Sequence, residues 1–268
     1  MLFRSAYAAL AGLPTLWGVY AAIVPCVVAG LAGSSRLVQT GPTNAMSLAL
    51  AATLMPLAAA GSPEYLRLAL VATLGVGLIQ TAMALLRLGG LANFVSPSVL
   101  LGFTSGAAVL IAWHALRPTV DDTPALAMAL ATLAAAVLLR RAMGRGPYLL
   151  VALAAATVAG WALVRWQGVV FEHVGELPHA LPQFAPPALA WSDVPRLAGI
   201  SMALTVIALG QSMAIAKLLA ARTGQPLDVN RECLGQGLAN IAGGLFSSFV
   251  TCGPLNRSLP NYEAGTRT

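Results

Sequence analysis

Two short stretches near opposite ends of the chain decide its fold: Thr40-Gly41-Pro42-Thr43-Asn44 and Cys252-Gly253-Pro254-Leu255-Asn256-Arg257-Ser258. Each contains the pattern Gly-Pro-x-Asn and follows a helix-like segment that ends in Ser-Ser. A Gly-Pro step cannot continue a helix that arrives from upstream, because proline lacks a backbone N–H and disfavours helical geometry in the residue before it. Proline does suit the first turn of a new helix. Both stretches therefore predict a helix that begins abruptly after a β-prone segment, residues 36–40 in the first case and 249–252 in the second.

The composition of the chain is that of a membrane protein. Of its 268 residues, 58% are hydrophobic and 9% are charged, and the mean hydropathy is +0.78. Soluble domains carry roughly a quarter charged residues, so a soluble globule of this composition would expose large apolar patches. The net charge of +6 comes from basic residues scattered between apolar runs, without the basic stripe of a nucleic-acid-binding surface. We therefore expect the lipid bilayer as a partner and exclude nucleic acid.

Several apolar segments predict membrane-spanning helices, each of which needs roughly 20 residues. The predicted spans are residues 13–33, 65–86, 99–116, 125–139, 148–164, 195–219 and 233–246. Residues 43–54 are too short to cross alone, which predicts a half-helix that starts within the membrane, and a second half-helix is predicted from Pro254. Residues 89–98 form a predicted connector, and the proline-rich residues 166–193 form a predicted exposed loop. Because the chain opens on the tail of a helix at residues 6–12 and stops straight after the second stretch, we expect it to be incomplete at both ends.

The arginines between the predicted spans indicate an orientation in the membrane. If the chain enters from the cytoplasm, the inner loops are shorter and richer in arginine than the outer loops, as the positive-inside rule requires. The arginines of the predicted inner loops are Arg36, Arg87, Arg140, Arg141, Arg145, Arg222 and Arg231. The predicted location is the bacterial inner (plasma) membrane, which the chain would cross several times.

Paired apolar segments that glycine and proline interrupt at matching places in two halves point to the substrate site of a transporter. All nine acidic residues fall in loops or at the ends of predicted spans, so no span interior offers a carboxylate to carry protons or cations. Arg257 lies on the first turn of the second half-helix, where exposure to lipid would cost roughly 2.5–3.5 kcal/mol. It should therefore face an aqueous cavity or a partner. Since each helix start also adds about half a positive charge, these features together predict a site for an anion.

The predicted substrate-binding residues surround the two helix starts. They are Thr43, Asn44, Gln211, Leu255, Asn256, Arg257 and Ser258, with the helix breaks at Gly41, Pro42, Gly253 and Pro254. Arg257 supplies charge, the hydroxyl and amide side chains supply hydrogen bonds, and Gln211 lines the cavity. Structural alternatives stay open: Arg257 snorkels to a membrane interface, the asparagines only cap their helices, and Gln211 forms a hydrogen bond between helices.

Other chemistries find no support in the sequence. Cys26, Cys233 and Cys252 lie in or beside apolar segments without metal-ligand spacing, and we expect them to be packing residues. His173 and His179 lie in the proline-rich loop without a further Cys or His nearby, which makes a poor metal site. No Ser/His/Asp set, phosphate loop or dinucleotide fingerprint is present. The sequence therefore predicts no metal, no cofactor and no enzymatic activity.

A series of motifs, in the order of the chain, resembles those of the sulfate permease (SulP) family. The motifs are Ala9-Leu-Ala-Gly-Leu-Pro14, Trp17-Gly-Val-Tyr-Ala-Ala22, Gly33-Ser-Ser-Arg36, Thr40-Gly-Pro-Thr43, Gly77-Leu-Ile-Gln80, Leu86-Arg-Leu-Gly89, Asn93-Phe94, Gly102-Phe-Thr-Ser-Gly106, Ile215-Ala-Lys217, Gly224-Gln-Pro226, Asn230-Arg-Glu232, Gln236-Gly-Leu-Ala-Asn240 and Asn256-Arg257-Ser258. The resemblance covers nearly the whole chain. It implies an all-α polytopic membrane protein with a partial fold of two inverted seven-helix repeats (about helices 1–10 of 14). In that fold, helices three and ten are half-helices that face each other and bind the anion.

The resemblance also implies a division of the chain into domains. Residues 1–88 would hold core-domain helices 1–4, residues 89–165 gate-domain helices 5–7, and residues 194–268 core-domain helices 8–10. Residues 166–193 would form an extracytoplasmic loop. Helices 1 and 10 would be incomplete, and no STAS domain is present. The resemblance allows a homodimer for the full-length protein.

The function that the resemblance implies is secondary active transport of a small inorganic anion by alternating access, with sulfate first and bicarbonate or chloride next. Many bacterial relatives carry an acidic residue, linked to cation coupling, where Gln211 stands. The glutamine favours exchange or facilitated transport over proton or sodium symport. The family often has serine where Pro254 and Asn256 stand, which bears on the choice of substrate. Two alternatives are a nucleobase permease of the same fold, which would be expected to use a carboxylate, and a non-transporting truncated fragment.

Overall fold

The computed structural model of the chain describes residues 2–90, 102, 105–106, 109, 123–143, 148–167, 181–263 and 265–266. Over these ranges the chain is largely helical and forms no regular strand. The helices are α1 (Leu2–Leu10), α2 (Thr15–Tyr20), α3 (Val24–Ala32), α4 (Asn44–Leu54), α5 (Pro63–Leu85), α6 (Thr123–Met143), α7 (Tyr148–Gln167), α8 (Asp193–Thr223), α9 (Val229–Leu245) and α10 (Leu255–Glu263). The predicted span over residues 99–116 and the connector over 89–98 fall largely outside the described residues. In the predicted loop over 166–193, residues 181–190 are described and belong to no helix or strand.

The two abrupt helix starts are confirmed. α4 begins at Asn44, with Thr43 as its N-cap, and α10 begins at Leu255, straight after Pro254. α4 has 11 residues, whereas a membrane-spanning helix takes roughly 20. α4 is therefore a short helix, and both α4 and α10 follow an extended segment, as the two Gly-Pro steps predict.

In the described part of the chain, four helical segments are long and apolar enough to cross a membrane, judged by length and composition. They are Thr15–Ala32, Pro63–Leu85, Thr123–Ala142 and Asp193–Thr223. The last three confirm the spans predicted over residues 65–86, 125–139 and 195–219, and each has ends within a few residues of the prediction.

The span predicted over residues 13–33 is not one continuous helix. It consists of α2 and α3, which are separated by a turn over residues 21–23. Pro25 is the physical cause, because it lacks an N–H and clashes with the preceding turn when it lies inside a helix. In the first turn of α3, where Pro25 lies, the missing N–H has no cost. The segment Thr15–Ala32 as a whole is long and apolar enough to span a membrane, so the predicted span is confirmed, with a turn inside it.

The chain forms two compact units. One comprises Met1–Ala107 together with Gly175–Thr268, and the other comprises Ala108–Val174. In the smaller unit, α6 packs against α7. In the larger unit, α9 packs against α5, α3 and α8, while α4 packs against α1, α5 and α8. The first and last parts of the described chain thus share one unit, which brings both half-helices into the same body.

Glycine allows α5 and α9 to approach closely. A Cβ added at Gly77 would lie 2.5 Å from the backbone N of Ile241 and 2.8 Å from the backbone O of Gly237. A Cβ at Gly237 would in turn lie 2.7 Å from the backbone N of Thr81. The absence of side chains at this crossing lets the two backbones meet, as small residues do in membrane helix pairs.

An ion-pair cluster joins the first turns of α5 and α8. Arg67 donates hydrogen bonds to Glu64 at 2.9 and 2.8 Å and also donates to both carboxylate oxygens of Asp193. Asp193 is only 4% exposed. Because an unpaired buried charge is strongly destabilising, Arg67 is required where it lies.

Candidate functional site

The two Gly-Pro stretches lie side by side. The N–H of Gly41 donates to the carbonyl of Cys252 at 2.9 Å, and the N–H of Cys252 donates to the carbonyl of Gly41 at 3.1 Å, which makes an isolated antiparallel bridge. The bridge satisfies buried backbone groups that no helix includes. Pro42 and Pro254 are both buried and follow the bridge residues within two positions. The starts of α4 and α10 therefore lie close to each other.

The cap of α4 is Thr43. Its Oγ1 accepts a hydrogen bond from the N–H of Met46 at 3.2 Å and lies 3.6 Å from Cys252 Sγ. Thr43 thus fills the capping role that the sequence had left open for Asn44. Asn44 Oδ1 and Ser47 Oγ are buried, and neither has a hydrogen-bond partner among the described residues. Because a buried polar atom without a partner is costly, both side chains are candidates for contact with a ligand.

The first turn of α10 contributes two side chains with different roles. Ser258 is buried, and its Oγ accepts a hydrogen bond from the N–H of Gln39 at 3.1 Å, so it ties α10 to the first extended segment. Leu255 is 47% exposed, and its polar contribution to a site is its backbone N–H. The side chain of Asn256 lies outside the described residues, so its predicted role stays a prediction.

Gln211 and Ser212 of α8 hold the second stretch in place. The thiol of Cys252 donates to Gln211 Oε1 at 3.1 Å, and the N–H of Gly253 donates to Ser212 Oγ at 2.7 Å. Gln211 is half-buried. Gln211 therefore bonds to the extended segment before α10 and not to a second helix, and its predicted contact with the substrate stays a prediction.

Arg257 connects the two half-helices. Its Nη2 donates to the carbonyl of Pro42 at 2.7 Å, and its Cζ lies 5.7 Å from the centre of the Tyr7 ring. A Cβ added at Gly41 would collide with the guanidinium, so a side chain at this position would make the end of the arginine move. The side chain of Arg257 therefore reaches from the first turn of α10 to the residue before the cap of α4.

The electrostatics of this place favour an anion. The first N–H groups of any helix have no intrahelical partner, and each helix start carries about half a positive charge. The starts of α4 and α10 are joined here by the Arg257 guanidinium. A negative ion would be stabilised by all three positive groups, and the arginine fork is suited to oxyanions.

The structure adds residues that the sequence did not single out. Tyr7 contacts Arg257, Cys252 forms the bridge, and Ser212 accepts the N–H of Gly253. Two of these had a signal in the sequence, since Cys252 opens the second stretch and Ser212 directly follows Gln211. Tyr7 had none, because its contact with Arg257 joins opposite ends of the chain.

Comparison with known sequences places these features in a family. A sequence model described as the sulfate permease family matches residues 5–123 and 121–268. The chain is 33% identical to sulfate transporter 4.1, chloroplastic, of Arabidopsis thaliana, over 98% of this chain and 42% of that protein. It is 30% identical to a probable sulfate transporter of Mycobacterium tuberculosis, over 98% of this chain and 51% of that protein. The chain thus spans about half the length of the curated relatives it matches.

Solved structures show the same fold. The transmembrane domain of a cyanobacterium bicarbonate transporter, BicA, matches 99% of this chain and 74% of its own length with a TM-score of 0.84 at 22% identity. Murine Slc26a9, an anion transporter in the inward-facing state, matches 99% of this chain and 51% of its own length with a TM-score of 0.83 at 20% identity. The likeness confirms an all-α, multi-pass membrane fold of the inverted-repeat type with two half-helices. The two matched segments show that the chain belongs to the sulfate permease family, whose members are transporters and not enzymes.

Proposed function

We propose that the protein is a secondary transporter of a small inorganic anion, with sulfate as the first candidate and bicarbonate or chloride next. The anion would bind between the starts of α4 and α10. Sulfate comes first because the relatives with 30–33% identity are named as sulfate transporters. Bicarbonate is the substrate in the name of a structural relative.

The observation that carries the proposal is the position of Arg257. A guanidinium that donates to the carbonyl of Pro42 at 2.7 Å lies at the start of one half-helix while belonging to the first turn of the other. Three positive groups in one place repel one another, and a bound anion removes that repulsion. The orphaned amide oxygen of Asn44 supports the same conclusion, because an amide turned by 180° would present its N–H₂ donors at that point.

Gln211 distinguishes the proposal from its main rival. A nucleobase permease would be expected to offer a carboxylate to its substrate, whereas Gln211 is neutral and its Oε1 already accepts the thiol of Cys252. A neutral residue here also favours exchange or facilitated transport over proton or sodium symport. One arginine among neutral donors suits a transporter, since a substrate that must leave cannot be held too tightly.

The mechanism that we propose is alternating access in the inner (plasma) membrane of a bacterium. Residues 1–88 and 194–268 would act as the core domain that carries the site, and residues 89–165 as the gate domain. The arginine-rich loops would face the cytoplasm. A homodimer is the assembly that we would look for first in the full-length protein.

The experiment that tests the proposal is uptake into proteoliposomes that contain the purified full-length protein. Radioactive sulfate is supplied outside, and bicarbonate, chloride and uracil are added separately as competitors. We expect saturable sulfate uptake that inorganic anions inhibit and uracil does not, with protein-free liposomes as the control. In a parallel experiment radioactive uracil replaces sulfate. Uptake of uracil without uptake of sulfate would favour the nucleobase permease, and uptake of neither would favour a membrane protein that does not transport.

A further inference from the structure

A row of polar side chains runs along one face of α9. Glu232, Gln236 and Asn240 are spaced by four residues, so they lie above one another on the helix. They are 3%, 1% and 0% exposed. Buried polar groups are costly unless they are hydrogen-bonded, and inside a membrane protein they are rare. The partners of this row show what it does.

Gln236 holds the first extended segment. Its Nε2 donates to Oγ1 of Thr40 at 2.8 Å, and Thr40 directly precedes Gly41 of the bridge. Nε2 also donates to Glu232 Oε1 at 3.3 Å. The other oxygen of Glu232 accepts from the N–H of Ser34 at 2.9 Å, just after the end of α3. Glu232 thus orients the amide of Gln236 and ties it to α3.

Asn240 holds the second extended segment. Its Oδ1 accepts from the N–H of Thr251 at 2.8 Å and from Oγ1 of Thr251 at 3.1 Å. Its Nδ2 donates to the carbonyl of Thr251 at 3.1 Å and to Gln80 Oε1 of α5 at 2.9 Å. Thr251 directly precedes Cys252, the other member of the bridge. One side-chain amide therefore satisfies both backbone groups of Thr251 and links them to α5.

We propose that Gln236 and Asn240 are positioning residues for the anion site. They fix the two extended segments that form the bridge to one helix, α9, and so set the spacing between the starts of α4 and α10. This inference rests on the proposed function. Because Thr40 and Thr251 each precede a bridge residue, a shift of either threonine passes directly to the helix start that follows. Binding groups lose their effect when they are held more than about 0.5 Å from the productive geometry, so loosening either contact should weaken anion binding.

Thr40→Val tests the inference with the smallest change. Valine keeps the shape of threonine but removes the oxygen that accepts from Gln236, and Thr40→Ser restores an oxygen. Thr73→Val is the matched control: Thr73 is 0% exposed, and its Oγ1 donates to the carbonyl of Ala69 in its own helix at 2.7 Å. If Thr40→Val does not fold, Asn240→Leu makes the test on the second extended segment, because leucine has about the size of asparagine but neither accepts from the N–H of Thr251 nor donates to its carbonyl.

Two measurements on the purified full-length protein separate positioning from general stability. Sulfate affinity is measured by isothermal titration calorimetry, and the alkylation rate of Cys252, a 0% exposed native thiol, is measured by peptide mass spectrometry. Thr40→Val should weaken sulfate binding about fivefold, as expected for one lost hydrogen bond, and should speed alkylation of Cys252. Thr40→Ser and Thr73→Val should stay within about twofold of the unaltered protein, which is less than one such bond is worth.

The outcomes separate this inference from the function on which it rests. If the unaltered protein binds sulfate and Thr40→Val binds it equally well, the positioning role is wrong and the proposed function stands. A loss of the same size in Thr73→Val, or no recovery in Thr40→Ser, assigns the effect to general destabilisation and also overturns the inference. If the unaltered protein binds neither sulfate, bicarbonate nor chloride, both are wrong.

Discussion

Substitution of Arg257 tests the proposed charge between the two half-helices most directly. Its Nη2 donates to the carbonyl of Pro42 at 2.7 Å, so Arg257→Ala removes both a positive charge and a hydrogen bond at the start of α4. Arg257→Lys keeps the charge but loses the planar fork that arginine offers to oxyanions. The two variants together separate the effect of charge from the effect of geometry.

The expected loss depends on the charge of the anion. At an effective dielectric constant of about 20 and a separation of about 5 Å, a pair of unit charges is worth on the order of 3 kcal/mol. Water that enters the emptied space replaces part of this energy, so we take roughly half, or about tenfold in affinity for each negative charge on the anion. Arg257→Ala should therefore weaken chloride binding about tenfold and binding of doubly charged sulfate about a hundredfold. Arg257→Lys should weaken both by a similar factor of about three, the cost of a poorer hydrogen bond.

The assay is titration calorimetry of the full-length protein with each anion, at constant ionic strength in a gluconate buffer. Arg222→Ala is the matched control, because Arg222 is exposed in the last turn of α8 and its loss changes the net charge equally. It should leave both affinities within about twofold, since exposed charges are screened. An equal fold-loss for chloride and sulfate in Arg257→Ala would refute the electrostatic reasoning and leave only the contact with Pro42. No loss for either anion would remove Arg257 from the site.

Two further predictions concern the close packing at Gly41 and the ion pair between Arg67 and Asp193. Gly41→Ala places a methyl group against the end of the Arg257 side chain. The guanidinium has to move while its charge stays, so sulfate binding should fall by about threefold to tenfold, less than the hundredfold loss expected for Arg257→Ala. Gly30→Ala, where a Cβ meets nothing within 4 Å, should bind normally, and equal binding by both variants would contradict the predicted clash. Arg67→Met leaves the Asp193 carboxylate, 4% exposed, without its guanidinium, so the melting temperature in detergent should fall by several degrees. Adding Asp193→Asn should recover part of that loss, and an unchanged melting temperature in Arg67→Met would show that the ion pair is not needed.

The helix starts could be predicted from the sequence because the constraint that fixes them is local. Pro42 and Pro254 remove an N–H and restrict the residue before them, so α4 and α10 begin within two residues of each proline. The same local rule explains the turn inside the predicted span over residues 13–33. Pro25 interrupts that span, although the average hydropathy of the segment is that of a continuous membrane helix.

The contacts of Arg257 could not be predicted, because they join residues near opposite ends of the chain. Arg257 contacts Pro42 and Tyr7, and no local pattern pairs these residues. The contacts of Glu232 are a second example of what the sequence does not predict. The sequence places Glu232 at the end of a predicted span, and the structure buries it to 3% exposure, where it accepts hydrogen bonds from Gln236 and from the N–H of Ser34. The spacing of four residues between Glu232, Gln236 and Asn240 is visible in the sequence. The contacts of Gln236 with Thr40 and of Asn240 with Thr251 are not.

A fold with two half-helices needs buried polar side chains beside its extended segments, such as those on the polar face of α9. In the hydrocarbon region every backbone N–H and carbonyl must find a partner within the protein, and the extended segments before α4 and α10 cannot satisfy theirs through helical bonds. Asn240 accepts from the N–H of Thr251 and donates to its carbonyl, and Ser212 accepts from the N–H of Gly253. In the bridge, the N–H and carbonyl groups of Gly41 and Cys252 satisfy each other. Each buried group left without its partner would cost about 1–3 kcal/mol. A movement that exposes the anion to alternate sides of the membrane must therefore keep these contacts, so the two helix starts and α9 have to move together.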